Sequence, residues 1–209
     1  MKESGRVMAG TVGAMAVLAL VLQFAVAMTT PGLESPGTAL WRMLAYFTVL
    51  TNLAVAAALI YVALGGDLSV TLHGAMTVSI VAVGLVYHLV LRDLWQPQGL
   101  AWWADHGLHS AVPVYTALFW LFFAPKSTLS LREPFLWLAV PLGYWVYAMG
   151  RGIASGFYPY PFLDPALHRL PALLMNALAV FVLFLALGFC LLGIARMIRR
   201  NTQKMRIFR

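Results

Sequence analysis

"PALLMNALAVFVLFLALGFCLLGIA", residues 171–195, decides the fold class. The stretch carries no charged residue, and Asn176 is its one strongly polar side chain. At 1.5 Å per residue, a helix of this length reaches about 37 Å, more than the ~30 Å hydrocarbon core of a bilayer. The run is continuously apolar and does not alternate, which favours a helix over a barrel strand. A basic tail, residues 196–209, follows at once with Arg196, Arg199, Arg200, Lys204, Arg206 and Arg209. Such a cluster beside an apolar span suits anionic lipid headgroups on the cytoplasmic side.

The rest of the chain repeats this pattern. Of its 209 residues, 62% are hydrophobic and 10% charged, with a mean hydropathy of +0.83. No soluble domain of this size hides that much apolar surface, so the natural solvent is lipid. The net charge of +7 sits largely in the tail, which argues against a nucleic-acid partner. Cys190 is the single cysteine and reads as a small packing residue.

Charge-poor runs predict an all-α, polytopic bundle of six transmembrane helices in one domain, residues 1–209. The spans are expected at about 8–28, 43–64, 69–91, 107–125, 135–153 and 171–195. The fifth extends past Arg151. The N-terminus has the basic start of a signal peptide, but its apolar run is too long for one and reads as a retained span. Six spans put both termini on one side. With the termini inside, inner segments hold ten basic residues and outer segments four, which predicts a multi-pass cell-membrane protein with cytoplasmic termini. No internal repeat is evident, so an inverted-repeat transporter gains no support.

This topology gathers the polar groups. His88, His106, His109 and His168 fall on the outer side with Asp105 and Asp164, and His73 alone falls near the inner face. Thr48, Thr51 and Asn52 share one face of the second span. Thr48 is expected about five residues in, roughly 7 Å deep, at a level His109 could reach. Each residue also has an ordinary explanation. A membrane threonine usually bonds its own i−4 carbonyl. Asn52 suits interhelical bonding. His106 and His109 share a face, but a metal site needs three or four ligands, and no HExxH or cysteine-rich spacing is present. A Gly-x-Ser-x-Gly elbow is absent too. Trp41, Trp95, Trp102, Trp103, Tyr158 and Tyr160 suit an interfacial aromatic belt.

Three stretches add a resemblance: "AYFTVLTNL" opening the second span, "DHGLHSAVPV" opening the fourth, and "YPYPFLDP" between the fifth and sixth. In this order they resemble the androgen-induced and androgen-dependent membrane protein family, including its bacterial members, over about residues 46–164. The resemblance implies six spans and hydrolysis of fatty acid esters of hydroxy fatty acids, or similar acyl esters, by an intramembrane Thr and His. The family threonine matches Thr48, in "YFTVL". The family histidine matches His109, the second imidazole of "DHGLH". The chain departs from the animal pattern at Asp105 and in having a second nearby threonine, Thr51.

In that chemistry His109 is the general base for Thr48, and Asp105 or Asp164 orients the imidazole. Asn52 and Arg151 are oxyanion-donor candidates, and His106 is a rim residue. No cofactor is expected. The expected partners are the bilayer and an acyl-ester lipid. Two other classes fit the same residues: a membrane protein that binds or transports a lipid or small solute, and a metal- or haem-binding membrane subunit using His88 and His109.

Overall fold

The structure is a computed structural model that describes residues 1–126 and 129–207, with side chains through Arg200. Lys204, Arg206 and Arg209 of the basic tail therefore lie outside the described side chains. The helices are α1 (Glu3–Met28), α2 (Pro36–Met43), α3 (Phe47–Ala63), α4 (Val70–Val86), α5 (Leu100–His106), α6 (Val112–Phe122), α7 (Glu133–Trp137), α8 (Ala139–Ser155) and α9 (Leu170–Ile207). No strand occurs among the described residues.

Among the described residues, three helical runs are long and apolar enough to cross a membrane: Glu3–Met28, Val70–Leu94 and Leu170–Arg200. Counting the bent pair α2 and α3 as one span makes four. The other expected spans differ for visible reasons. Helices α3 and α8 each have 17 residues, about 25 Å of rise. The run Leu100–Phe122 spends its first turns on Trp102, Trp103, Asp105 and His106.

The expected second span, 43–64, is not one helix. Helices α2 and α3 meet at 94°. Ser35 caps α2, accepting a hydrogen bond from the Thr38 N–H at 3.1 Å, and Pro36 occupies the first helical position. Helix α3 starts afresh with Tyr46 extended at its N-cap. Thr48 is therefore the second residue of a helix, and not five residues inside one. The fifth span also breaks, at Leu138. Pro141 has no N–H to offer the carbonyl of Trp137 four residues earlier.

Successive long helices run in opposite directions, as two clusters of contacts show. Arg6, Val62, His73 and Phe123 line a cavity at one end of the bundle. Gln23, Thr48, Tyr87, His109 and Pro159 line another at the opposite end. Small residues let the helices approach. Ala9, Val12, Gly13, Ala16 and Ala19 form the buried stripe of α1. A Cβ on Gly13 would lie 2.9 Å from Ile60 Cγ1 and 3.2 Å from the Ile60 backbone nitrogen, so α1 and α3 pack nearly backbone to backbone. Large apolar side chains such as Leu18, Val21, Leu53, Leu118, Leu174 and Val182 face outward, as lipid contact requires.

Candidate active site

The site lies where three helix irregularities meet. The first is the α2–α3 bend. The carbonyls at the end of α2 and in the bend have no helical partners of their own, and α8 supplies them. The Tyr147 hydroxyl donates to Leu44 O at 2.9 Å, the Tyr144 hydroxyl donates to Ala45 O at 3.0 Å, and Arg151 Nη2 donates to Trp41 O. Arg151 Nη1 also donates to the Tyr147 hydroxyl at 2.7 Å, and the guanidinium lies over the Trp41 ring. Arg151 thus fixes the bend that presents Thr48. It does not line the cavity holding Thr48, which separates it from the oxyanion role considered above.

The other two irregularities are π-helical turns at Tyr87–Leu91 and Gly107–Ala111. Pro113 has no N–H for the His109 carbonyl, and the Val112 N–H bonds Gly107 O instead, widening the turn. A Cβ at Gly107 would lie 2.8 Å from Ala19 Cβ, so only glycine lets this turn lie against α1.

The widened turn carries His109. Its Nδ1 lies 3.0 Å from the carbonyl oxygen of Asp105 and 3.1 Å from Asp105 Oδ1. Both partners only accept, so Nδ1 carries the proton and Nε2 keeps its lone pair. The N–H aligns with the carbonyl, and Oδ1 makes a close charge–dipole contact without an aligned hydrogen bond. Nε2 has no hydrogen-bond partner among the described residues. Asp105 is fully buried, and its Oδ2 accepts from the Tyr87 hydroxyl. The Tyr87 ring also stacks on His109, with centroids 4.1 Å apart at 14°. Carboxylate, imidazole and phenol hold one another in place.

Thr48 is buried. Its backbone N–H donates to the Tyr160 hydroxyl oxygen at 3.3 Å, and its Oγ1 lies 3.4 Å from the same oxygen. The phenol takes up one of the N–H groups that a helix start leaves unpaired. Burial pushes the Tyr160 phenol above its ordinary value, so it stays protonated. Tyr160 was expected in the aromatic belt, but it is only 8% exposed. Its signal in the sequence was its place in "YPYPFLDP".

Asn52 ties the two turns together. Its Nδ2 donates to Thr48 O at 2.8 Å and to Leu108 O at 3.3 Å. Both amide protons are committed, so Asn52 joins the threonine turn to the histidine turn and does not line their cavity.

The remaining expected residues fall elsewhere. The Thr51 hydroxyl donates to Phe47 O at 2.7 Å, the ordinary i−4 bond of a membrane threonine. His106 stacks on Trp102 and its side chain is 42% exposed, as a rim residue would be. Asp164 Oδ1 accepts from the Ala166 N–H at 2.8 Å and does not line the cavity of Thr48 and His109. His88 Nε2 pairs with Ser110 Oγ at 3.0 Å. Among the described residues, no three His, Cys, Asp or Glu side chains group as a metal site requires.

Thr48 and His109 line one cavity of ≈ 430 Å³. No hydrogen bond joins them; they face a shared space. No known protein family, curated protein or solved structure matches the chain. The chemistry must therefore be argued from the site. On the far side of Thr48 a narrower chamber of ≈ 70 Å³ opens among Phe47, Val83, Trp145, Phe162 and Phe184. Thr48, Leu91 and Tyr160 line both chambers.

Proposed function

We propose that the chain is a six-span membrane enzyme that hydrolyses acyl esters, with Thr48 as nucleophile and His109 as general base. The observation that carries this reading is that His109, with Nδ1 held by Asp105 and Nε2 unpartnered, lines the same cavity as Thr48. An oriented base and a hydroxyl sharing one cavity are the minimum machinery for acyl transfer. The resemblance of "YFTVL" and "DHGLH" to the androgen-induced family selects the same two residues and suggests fatty acid esters of hydroxy fatty acids, or similar acyl esters, as the substrate.

His109 Nε2 takes the proton of Thr48 Oγ1 as that oxygen attacks the ester carbonyl. The tetrahedral intermediate collapses, and the imidazolium returns its proton to the leaving alkoxide. Water, deprotonated by the same nitrogen, attacks the acyl-threonine; the carboxylic acid leaves and Thr48 regains its proton. Asp105 keeps Nδ1 protonated and faces the imidazolium while it exists. The Tyr160 hydroxyl, beside Oγ1, is the nearest side-chain donor for the oxyanion. In the bilayer the substrate chains stay in an apolar phase, each CH₂ retaining about 0.8 kcal/mol of burial.

The six-span topology has both termini cytoplasmic, on the ten-to-four division of basic residues. The His109 end of the bundle then faces outward.

The test is ester hydrolysis by the purified full chain in nanodiscs. Thr48→Ala and His109→Ala should each abolish turnover in a protein that still folds, while Thr51→Ala keeps it. Turnover retained in a folded Thr48→Ala protein contradicts the mechanism. A wild type that binds acyl lipids without cleaving any of them favours a binding or transport protein instead.

A further inference from the structure

Arg42 is a cation without an acceptor. It is the seventh of the eight residues of α2, is half-buried, and lines the cavity of Thr48 and His109. Its guanidinium lies 3.7 Å from the centroid of the Phe157 ring. Tyr46, one turn on and in the same cavity wall, also feels its charge; among the described residues no hydrogen bond or ion pair uses its side-chain N–H groups. Arg151 makes a contrast, with two nitrogens bonded to protein oxygens. Stacking occupies the face of a guanidinium and leaves the donor edge free. The cavity wall contains no acid: Asp105 is turned to Tyr87 and His109 Nδ1. The narrow chamber beyond Thr48 has no charged side chain in its wall.

We propose that Arg42 binds an oxyanion, a carboxylate or a phosphate, at one end of the ligand of this cavity. The proposal rests on the reading of the site as an acyl-ester site. It gives the ligand a direction: the anionic arm lies in the wider chamber against Arg42, the ester crosses Thr48, and the uncharged chain enters the narrow chamber. Arg42 is then a specificity residue, because a planar fork of N–H donors matches a carboxylate or phosphate in two-point contact. A cation in the last turn of α2 also suits the helix dipole, but that role gives no preference between charged and neutral ligands.

The experiment measures binding, so it does not depend on turnover. Full-length Thr48→Ala protein in phosphatidylcholine nanodiscs is titrated with three fluorophore-tagged dodecyl probes: the free acid, its methyl ester and the alkyl phosphate monoester. At least one anionic probe should bind ten times or more tighter than the ester. Arg42→Met should bring the anionic probes to the ester's affinity and leave the ester's own affinity unchanged, with Arg42→Lys in between. The tighter anion, acid or phosphate, identifies the kind of ligand. Equal binding of anionic and neutral probes, or a preference that survives in Arg42→Met, overturns the proposal. If Arg42→Met does not fold, Arg42→Gln carries the same comparison. Failure of the hydrolase reading shows separately, as a wild type that binds the anion with Arg42 dependence but cleaves no ester.

Discussion

Asp105→Asn is the most informative single change at this site. The carboxylate is fully buried, accepts from the Tyr87 hydroxyl, and lies 3.1 Å from His109 Nδ1. Asparagine keeps the shape and removes the charge that, in the proposed mechanism, faces the imidazolium in the transition state. An interaction with a charged partner contributes about 1.5–3 kcal/mol, and each 1.36 kcal/mol is about tenfold in rate. The expected loss is therefore roughly ten- to two-hundredfold in kcat, with KM little changed. It should not reach the ~10⁴-fold seen when a serine-protease aspartate becomes asparagine and the imidazole takes the wrong tautomer. Here the backbone carbonyl of Asp105, 3.0 Å from Nδ1, holds the tautomer in the variant too. The assay is steady-state hydrolysis of an acyl ester in nanodiscs, with thermal melts to establish that the bundle is intact. A rate within twofold of wild type refutes the role given to the carboxylate. A loss of ten-thousandfold in a folded variant refutes the role given to the carbonyl.

Tyr160→Phe removes the hydroxyl beside Thr48 Oγ1; kcat should fall about fivefold, from a neutral hydrogen bond of roughly 1 kcal/mol, with KM unchanged in the same assay. Asn52→Leu unties Thr48 O from Leu108 O; thermal melts should show a loss of about 1 kcal/mol, the scale of interhelical hydrogen bonds in membranes. Lys126 follows the end of α6, and burial pulls its ammonium down to about 8. The unfolded chain binds that proton up to the ordinary lysine range, so unfolding takes up a proton between about pH 8 and 10.5 and stability rises with pH across that window. Melting temperatures at pH 7.5 and 10 should show the rise in wild type and less of it in Lys126→Met.

The helices were legible because charge-free length is a strong signal. The 171–195 run and the helix Leu170–Ile207 coincide at their start for that reason. The α2–α3 bend was not read, though "SPGTALWRM" contains its signal: a serine cap with proline at the first position is a helix start, and that start lies before the expected second span. The π turn at Gly107–Ala111 has a local cause in Pro113, but which carbonyl the proline frees becomes visible only with the helix in place. Thr48 and His109 were singled out from motif residues and bundle topology, and the structure sets them in the wall of one cavity. Tyr87 escaped notice because a tyrosine in an apolar run looks like packing. Its bond to Asp105 and its stacking on His109 depend on two helices aligning, which no local pattern encodes. Topology groups Arg151 with the outer polar residues, but its partners come from α2 and α8 together.

Thr48 as a nucleophile activated by His109 is the core of the proposed chemistry. Its most direct test is covalent labelling in membranes with a fluorophosphonate probe, followed by peptide mass spectrometry to locate the adduct. An adduct is expected on Thr48 that disappears in His109→Ala, falls in Asp105→Asn and persists in Thr51→Ala. An adduct on another residue, or no adduct on a folded wild-type protein, contradicts it.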